Sequence, residues 1–132
     1  MVIDDKVLNG LLDKAAASPR LRMNMDMRTS PEDSSQRMLN ALLPGTLLPI
    51  HRHIESTEFV TIMRGRLMEI FYDNNGTETE RILLDPREGK YALSIPVGQW
   101  HTVVPLEKSV IFEAKDKPFE PLKPEDTLNN SH

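Results

Sequence analysis

The sequence predicts an all-β fold, a small barrel or sandwich of about eight or nine strands with one short helix at its N-terminal end. Three observations carry the prediction. Short apolar runs follow one another from residue 36 to residue 115, as strands do. Turn signals separate them: DNNGT at 73–77, DPREG at 85–89, PVG at 96–98 and PLEKS at 105–109. Helical periodicity shows clearly only once, before residue 18. The 132 residues suffice for one domain and one core, not two.

The helix is expected over residues 4–17. Asp4 or Asp5 can cap it, and Val7, Leu8, Leu11, Leu12 and Ala15 make one apolar stripe. Ser18-Pro19 ends it, because a residue before proline avoids helical backbone. In residues 19–28, Leu21, Met23, Met25 and Met27 alternate with Arg20, Arg22, Asn24, Asp26 and Arg28. That period of two is a strand with one buried face. The methionine row reads as core and the arginine face as solvated. If the arginine face lines a pocket instead, Arg20 and Arg22 become candidates for an anionic ligand.

TSPEDSS is a loop, and QRMLNALL is a strand ended by Pro44-Gly45. Further strands are expected in LLPIHRHI, EFVTIMRG, RLMEIFYD, ERILLD, KYALSIP, HTVVPL and SVIFEAK. Asn75-Gly76 is a hairpin signal, since both residues tolerate positive φ. After Lys115 the pattern stops. The prolines at 118, 121 and 124 and the mostly polar residues around them suggest extended or partly disordered chain over the surface. The expected division is an N-terminal helix at 1–18, a barrel at 19–116 and a Pro-rich tail at 117–132.

Composition narrows the partners. A net charge of −4 argues against a nucleic-acid partner, which needs a basic face. No apolar run is long enough to cross a membrane, and MVIDDKVLNG has acids where a secretory leader has basic residues. A cytoplasmic location is expected. With no cysteine, any metal must be held by nitrogen and oxygen.

Two of the four histidines, His51 and His53, stand one residue apart, and Glu58 follows five positions after His53. On a strand, His51 and His53 share a face. Glu58 opens the next strand after a short turn, which places it beside the rings if the two strands pair as a hairpin. His101 follows the turn made by Pro96 and Gly98. Three imidazoles and a carboxylate suit one divalent ion: iron, manganese, nickel, cobalt or zinc. Glu55 is the rival carboxylate, but it lies in the turn, where exposure is expected.

The full pattern is G-x5-H-x-H-x4-E-x6-G from Gly45 to Gly65, then P-x-G-x2-H from Pro96 to His101. It resembles the two motifs of the cupin superfamily, which implies a double-stranded β-helix, or jelly-roll barrel. Pro105 stands where many cupins have an asparagine. Over residues 18–121 the chain is similar to the WbuC family of cupin fold metalloproteins, through QRMLNALLPGT, HRH, FVTIMRGRL, GQWHTVV and SVIFEAKDKPFEP. Lys117 departs from that family's usual glycine. The resemblance implies metal ligands at His51, His53, Glu58 and His101 and a link to surface-polysaccharide gene clusters. It supplies no catalytic mechanism.

Catalytic residues are unassigned. Glu113 and Lys115 share a strand face opposite Val110, Phe112 and Ala114. Lining the barrel, they would be an acid–base pair; facing water, which is the favoured reading, they would be a surface ion pair of little consequence. Tyr91 and Gln99 are candidates at the barrel mouth, beside Arg20 and Arg22. Trp100 is expected to pack or to make a dimer contact, and Arg64 and Arg66 to sit on a solvated turn. The functional expectation is a metal-binding cupin acting on a small polar metabolite such as a sugar derivative. If it is an enzyme, the isomerase and oxygenase types are expected. The alternatives are a non-catalytic binding or sensing cupin and a metal-independent sugar epimerase or isomerase. A homodimer is expected, since sheet edges need covering.

Overall fold

The computed structural model describes residues 1–128. The last four residues of the expected tail lie outside the described residues. Helix α1, Asp5–Ala17, begins at Asp4, whose carboxylate accepts from the Val7 N–H at 3.1 Å. It stops at Ser18, which is extended before Pro19.

Strands β1 (Arg22–Asp26), β2 (Gln36–Leu42), β4 (Glu58–Arg64), β7 (Ala92–Ile95) and β9 (Ser109–Lys115) form the first sheet, ordered β1-β2-β9-β4-β7. Strands β3 (Ile50–His51), β5 (Leu67–Tyr72), β6 (Glu78–Leu84), β8 (Trp100–Pro105) and β10 (Thr127–Leu128) form the second, ordered β10-β3-β8-β5-β6. Neighbouring strands pair antiparallel throughout. Chain neighbours repeatedly land in opposite sheets, which gives the jelly-roll form expected from the sequence.

The first sheet carries apolar residues on both faces. Outside, Leu39, Ala41 and Val110 meet Leu8, Leu11 and Ala15 of the helix, with Met23, Met25, Met27 and Phe112 around them. Inside, Leu42, Val60, Ile62 and Ile111 meet Leu67 and Leu84 of the second sheet. The methionine row is therefore core, but core of the helix-on-sheet layer. Its opposite face was expected to be solvated and instead turns inward, where Arg22 and Asn24 line a cavity. The reason is the helix: by covering the outer face, it makes that face the apolar one.

A third cluster lies on the outer side of the second sheet, where Ile50, Ile70, Tyr72 and Trp100 pack with Leu128. Trp100 is 5% exposed, and its indole N–H donates to Asn74 Oδ1 at 3.1 Å, so it is a packing residue. Arg64 and Arg66 are not idle on a turn either. Arg64 bonds Asn9 and Asp5 of the helix, and Arg66 lies 3.4 Å from Asp85.

Gly65 joins β4 to β5 at φ +96. A Cβ there would collide with the Lys108 carbonyl oxygen and Ser109 Oγ and lie 2.7 Å from Ser109 Cα. Gly89, at φ +74, has open space around it. Gly65→Ala should therefore cost about 2–4 kcal/mol and Gly89→Ala only about 1 kcal/mol, measured by denaturant unfolding. Equal losses would contradict this account of Gly65.

Candidate metal centre

The two ends of the interior differ. One is filled by Leu42, Ile62, Leu67, Leu84 and Ile111. The other opens into a cavity of about 370 Å³ lined by His51, His53, Glu58 and His101. The register explains how they meet. His51 of β3 lies directly opposite His101 of β8, and their ring centroids are 4.3 Å apart. The Gly98 N–H donates to the His53 carbonyl at 2.8 Å, so the Pro96–Gly98 turn is tied to the histidine strand. β3 and β4 lie in different sheets and do not pair as the hairpin considered from the sequence, so Glu58, at the start of β4, reaches the rings from across the interior.

One ligand atom from each of the four residues falls within 4.8 Å of all the others. Donors on a shared ion, each at about 2.1 Å from it, lie about 3 Å apart when adjacent. His53 Nε2 is 3.0 Å and His101 Nε2 3.8 Å from Glu58 oxygens. Yet both nitrogens are buried without a hydrogen-bond partner. His53 Nε2 thus lies close to the Glu58 carboxylate without forming an N–H···O bond. His51 Nδ1 lies 3.1 Å from the Pro49 carbonyl and His101 Nδ1 2.9 Å from that of Gln99. A carbonyl only accepts, so each Nδ1 carries a proton, and in the neutral ring Nε2 is then left as a lone pair. The three-nitrogen, one-oxygen set fits a divalent transition metal ion.

Burial pushes the His51 imidazole down to about 3, with the charge of His101 adding. It is therefore neutral near pH 7, as a ligand must be. Burial alone would raise Glu58, but His101, His53 and the Lys115 ammonium beside it hold it well below the usual range. Burial would lower His101, and the neighbouring Glu58 carboxylate reverses this and raises it.

The cavity also corrects the reading of Glu113 and Lys115. Both line it rather than facing bulk water, and Lys115 Nζ is 3.6 Å from Glu58 Oε2. Their apolar neighbours Val110 and Phe112 pack toward the helix, which leaves this face for the interior. Burial, reinforced by the Glu58 charge, raises the Glu113 carboxyl, while Lys115 and a hydrogen bond with Asn40 oppose the shift.

Of the four ligand-contact candidates, only Arg22 lines the cavity, donating to the Leu47 carbonyl at 3.0 Å. Arg20 is exposed, because Leu21 at φ 58 turns the chain out of the strand before it. Tyr91 is 60% exposed ahead of edge strand β7. The Gln99 side chain is spent on the Tyr72 and Trp100 carbonyls at 3.0 and 2.9 Å. Glu55 is exposed and Glu58 buried, as the turn position implied.

Sequence reasoning missed Glu69. It lines the cavity from β5 at 2% exposure, and burial pushes its carboxyl up to about 8. A signal existed: LMEIFY is apolar on both strand faces, so its single acid had no solvated side to occupy.

The tail was missed as a wall. Phe119, Glu120, Pro121 and Leu122 close one side of the cavity. Beyond them Pro124–Asp126 makes a 3₁₀ turn, and β10 pairs with β3, Thr127 opposite His51. Arg52, between the two histidines and on the other face, fastens this strap. Its Nε donates to Asp126 Oδ1 at 3.0 Å, its backbone N–H donates to the Asp126 carbonyl at 3.0 Å, and its guanidinium lies 4.5 Å from the Trp100 ring.

The fold recurs in solved structures. KdgF from Halomonas sp. is 16% identical over 78% of this chain and 84% of that one, with a TM-score of 0.60. A cupin superfamily protein from Desulfitobacterium hafniense DCB-2 is 17% identical over 75% of this chain and 78% of that one, with a TM-score of 0.56. Oxalate decarboxylase from Lactobacillus farciminis, in its formate complex, is 15% identical over 74% of this chain and 29% of that one, with a TM-score of 0.58. At these identities the likeness concerns fold alone, and the fold is that of cupins. A family model described as a domain of unknown function (DUF6016) matches residues 3–84. That span takes in His51, His53, Glu58 and Glu69 and ends before His101. No curated protein sequence matches the chain.

Two outcomes are expected. In metal-free protein, Glu69 keeps its proton more tightly when folded, so its contribution to stability falls as pH rises from 4.5, its ordinary value, to about 8. Glu69→Gln should remove that fall, which is at most about 1.4 kcal/mol per pH unit. Parallel stability–pH curves for the two proteins would refute it. Asp126→Asn should loosen the strap, speeding proteolytic cleavage within residues 117–128 about tenfold under native conditions. Unchanged cleavage would show that the ion pair with Arg52 does not hold it.

Proposed function

We propose the following function for this chain, which belongs to the DUF6016 family and carries the cupin fold. It binds one divalent metal ion through His51, His53, Glu58 and His101 and acts on a small polar metabolite in the adjoining cavity. The observation that carries this reading is the convergence of the four donor atoms, with His53 and His101 Nε2 buried and unpartnered. The bound ion would supply Lewis acidity toward a carbonyl or hydroxyl oxygen, or redox chemistry if it is iron.

The residues around the set support catalysis over passive binding. A binding site needs ligands and walls; an enzyme also needs an acid or base near the reacting atoms. Glu69 is buried and Glu113 half-buried beside the set, both with raised carboxyls, so each can hold a proton where an unperturbed acid would have lost it. Lys115 beside Glu58 supplies a cation, and Arg22 stands at the wall for an anionic group. The sequence resemblance to the WbuC family supports a sugar derivative of surface-polysaccharide biosynthesis as the metabolite. A metal-independent epimerase would need only one histidine as base, which leaves the convergence of the other three groups without a purpose.

Protein purified without added metal and without a nickel column should carry about one equivalent of a transition metal per chain. His51→Ala and His101→Ala should each lower retention of that metal at least about tenfold, read by elemental analysis after dialysis. Wild-type protein holding less than about a tenth of an equivalent, with no change in either variant, would sink the metal reading. Activity that survives chelation would favour the epimerase.

A further inference from the structure

The cavity holds one buried polar atom that the metal set does not use. Among the described residues, three buried side-chain polar atoms lack a hydrogen-bond partner: His53 Nε2, His101 Nε2 and Glu69 Oε2. The first two belong to the four-residue group and the third does not. Glu69 sits on the inner face of β5. Its neighbours along the strand on that face are Leu67 and Phe71, and across it lie Ile82 and Val103. All four are apolar, so they offer the carboxyl no side-chain partner. The charged groups that bear on it are His101, Glu58 and Glu113.

Packing does not ask for a carboxyl here. A leucine would suit these neighbours, and a buried oxygen without a partner is costly. Such a group is intelligible when its partner comes with a ligand. The ligand's chemistry follows from what can satisfy a carboxyl in either protonation state. An ionised carboxylate only accepts, and a protonated one also donates. A hydroxyl does both. Asn24, Asn40 and Gln36 line the same cavity with amides that can serve further hydroxyls.

We propose that Glu69 binds a hydroxyl of the small molecule held at the metal set, so that the ligand is a hydroxylated chelator, with a hydroxyl beside an oxygen that reaches the metal. The proposal rests on the metal-centre reading above and names the ligand class of that site. Glu69 is then a selector: it favours molecules that bring the hydroxyl and disfavours those in which that oxygen is capped.

The test uses glycolate and methoxyacetate, which offer the same chelating oxygens and differ in whether the hydroxyl is free. Cobalt-loaded protein is titrated with each, and binding is followed by the visible spectrum. Wild type should prefer glycolate by about tenfold or more. Glu69→Leu should reduce the preference to within about twofold, and Glu69→Gln, which still hydrogen-bonds, should keep part of it. Metal-free Glu69→Leu should also unfold at a higher temperature than wild type, because it removes an unsatisfied buried group. A preference that survives Glu69→Leu, or a leucine variant that unfolds below wild type, overturns the proposal. Cobalt content is measured in every sample. If wild type takes up no cobalt, the metal reading fails, and the unfolding temperatures then decide the fate of Glu69 by themselves.

Discussion

Glu58 is a carboxylate at 5% exposure with imidazoles at 3.0 and 3.8 Å and an ammonium at 3.6 Å, and much of the structure is arranged to hold it there. A buried charge of this kind is tolerated only when opposite charge, from side chains or a bound cation, lies beside it. Those partners come from far apart in the chain. His53 arrives on the preceding segment, Lys115 from the neighbouring strand β9, and His101 from the opposite sheet. The barrel has to close before the cluster exists. A divalent ion would complete the neutralisation and occupy the point toward which the unpartnered histidine nitrogens converge.

The same demand shapes the sheets. A polar cavity inside a small barrel removes apolar volume from the core, and that volume has to be recovered elsewhere. Here it is recovered outside the first sheet, where the helix and the methionine row build a second apolar layer. The third cluster, around Trp100, does the same for the second sheet and places Arg52 against the indole ring. Arg52 then joins the rear of the histidine strand to the strap that closes the cavity. One short segment, His51–His53, thus serves the metal set with two side chains and the enclosure with the third.

Much of this was legible in the sequence. The helix with its cap, most strands, the hairpin at Asn75-Gly76 and the four-ligand pattern follow from local periodicity and spacing. The choice of Glu58 over Glu55 followed from position in the turn. The misreading of β1 and β9 has a single physical origin. Alternation tells which residues share a face of a strand, and not which face is interior. In β1 and β9 the apolar face packs on the helix and the polar face turns into the cavity, so Arg22, Glu113 and Lys115 lie inside. Glu69 escaped notice because a strand apolar on both faces gives no phase from which an acid stands out.

By itself, then, the sequence determined the elements, the all-β class and the identity of the residues able to ligate a metal, because each depends on local conformation or on residue chemistry. Tertiary structure decided which faces meet, that Glu69 and Glu113 flank the ligand set, that Arg20, Tyr91 and Gln99 do not, and that the tail becomes a wall. Those outcomes depend on contacts between segments far apart in the chain. Period-two alternation carries no information about them until a helix covers one side of the sheet.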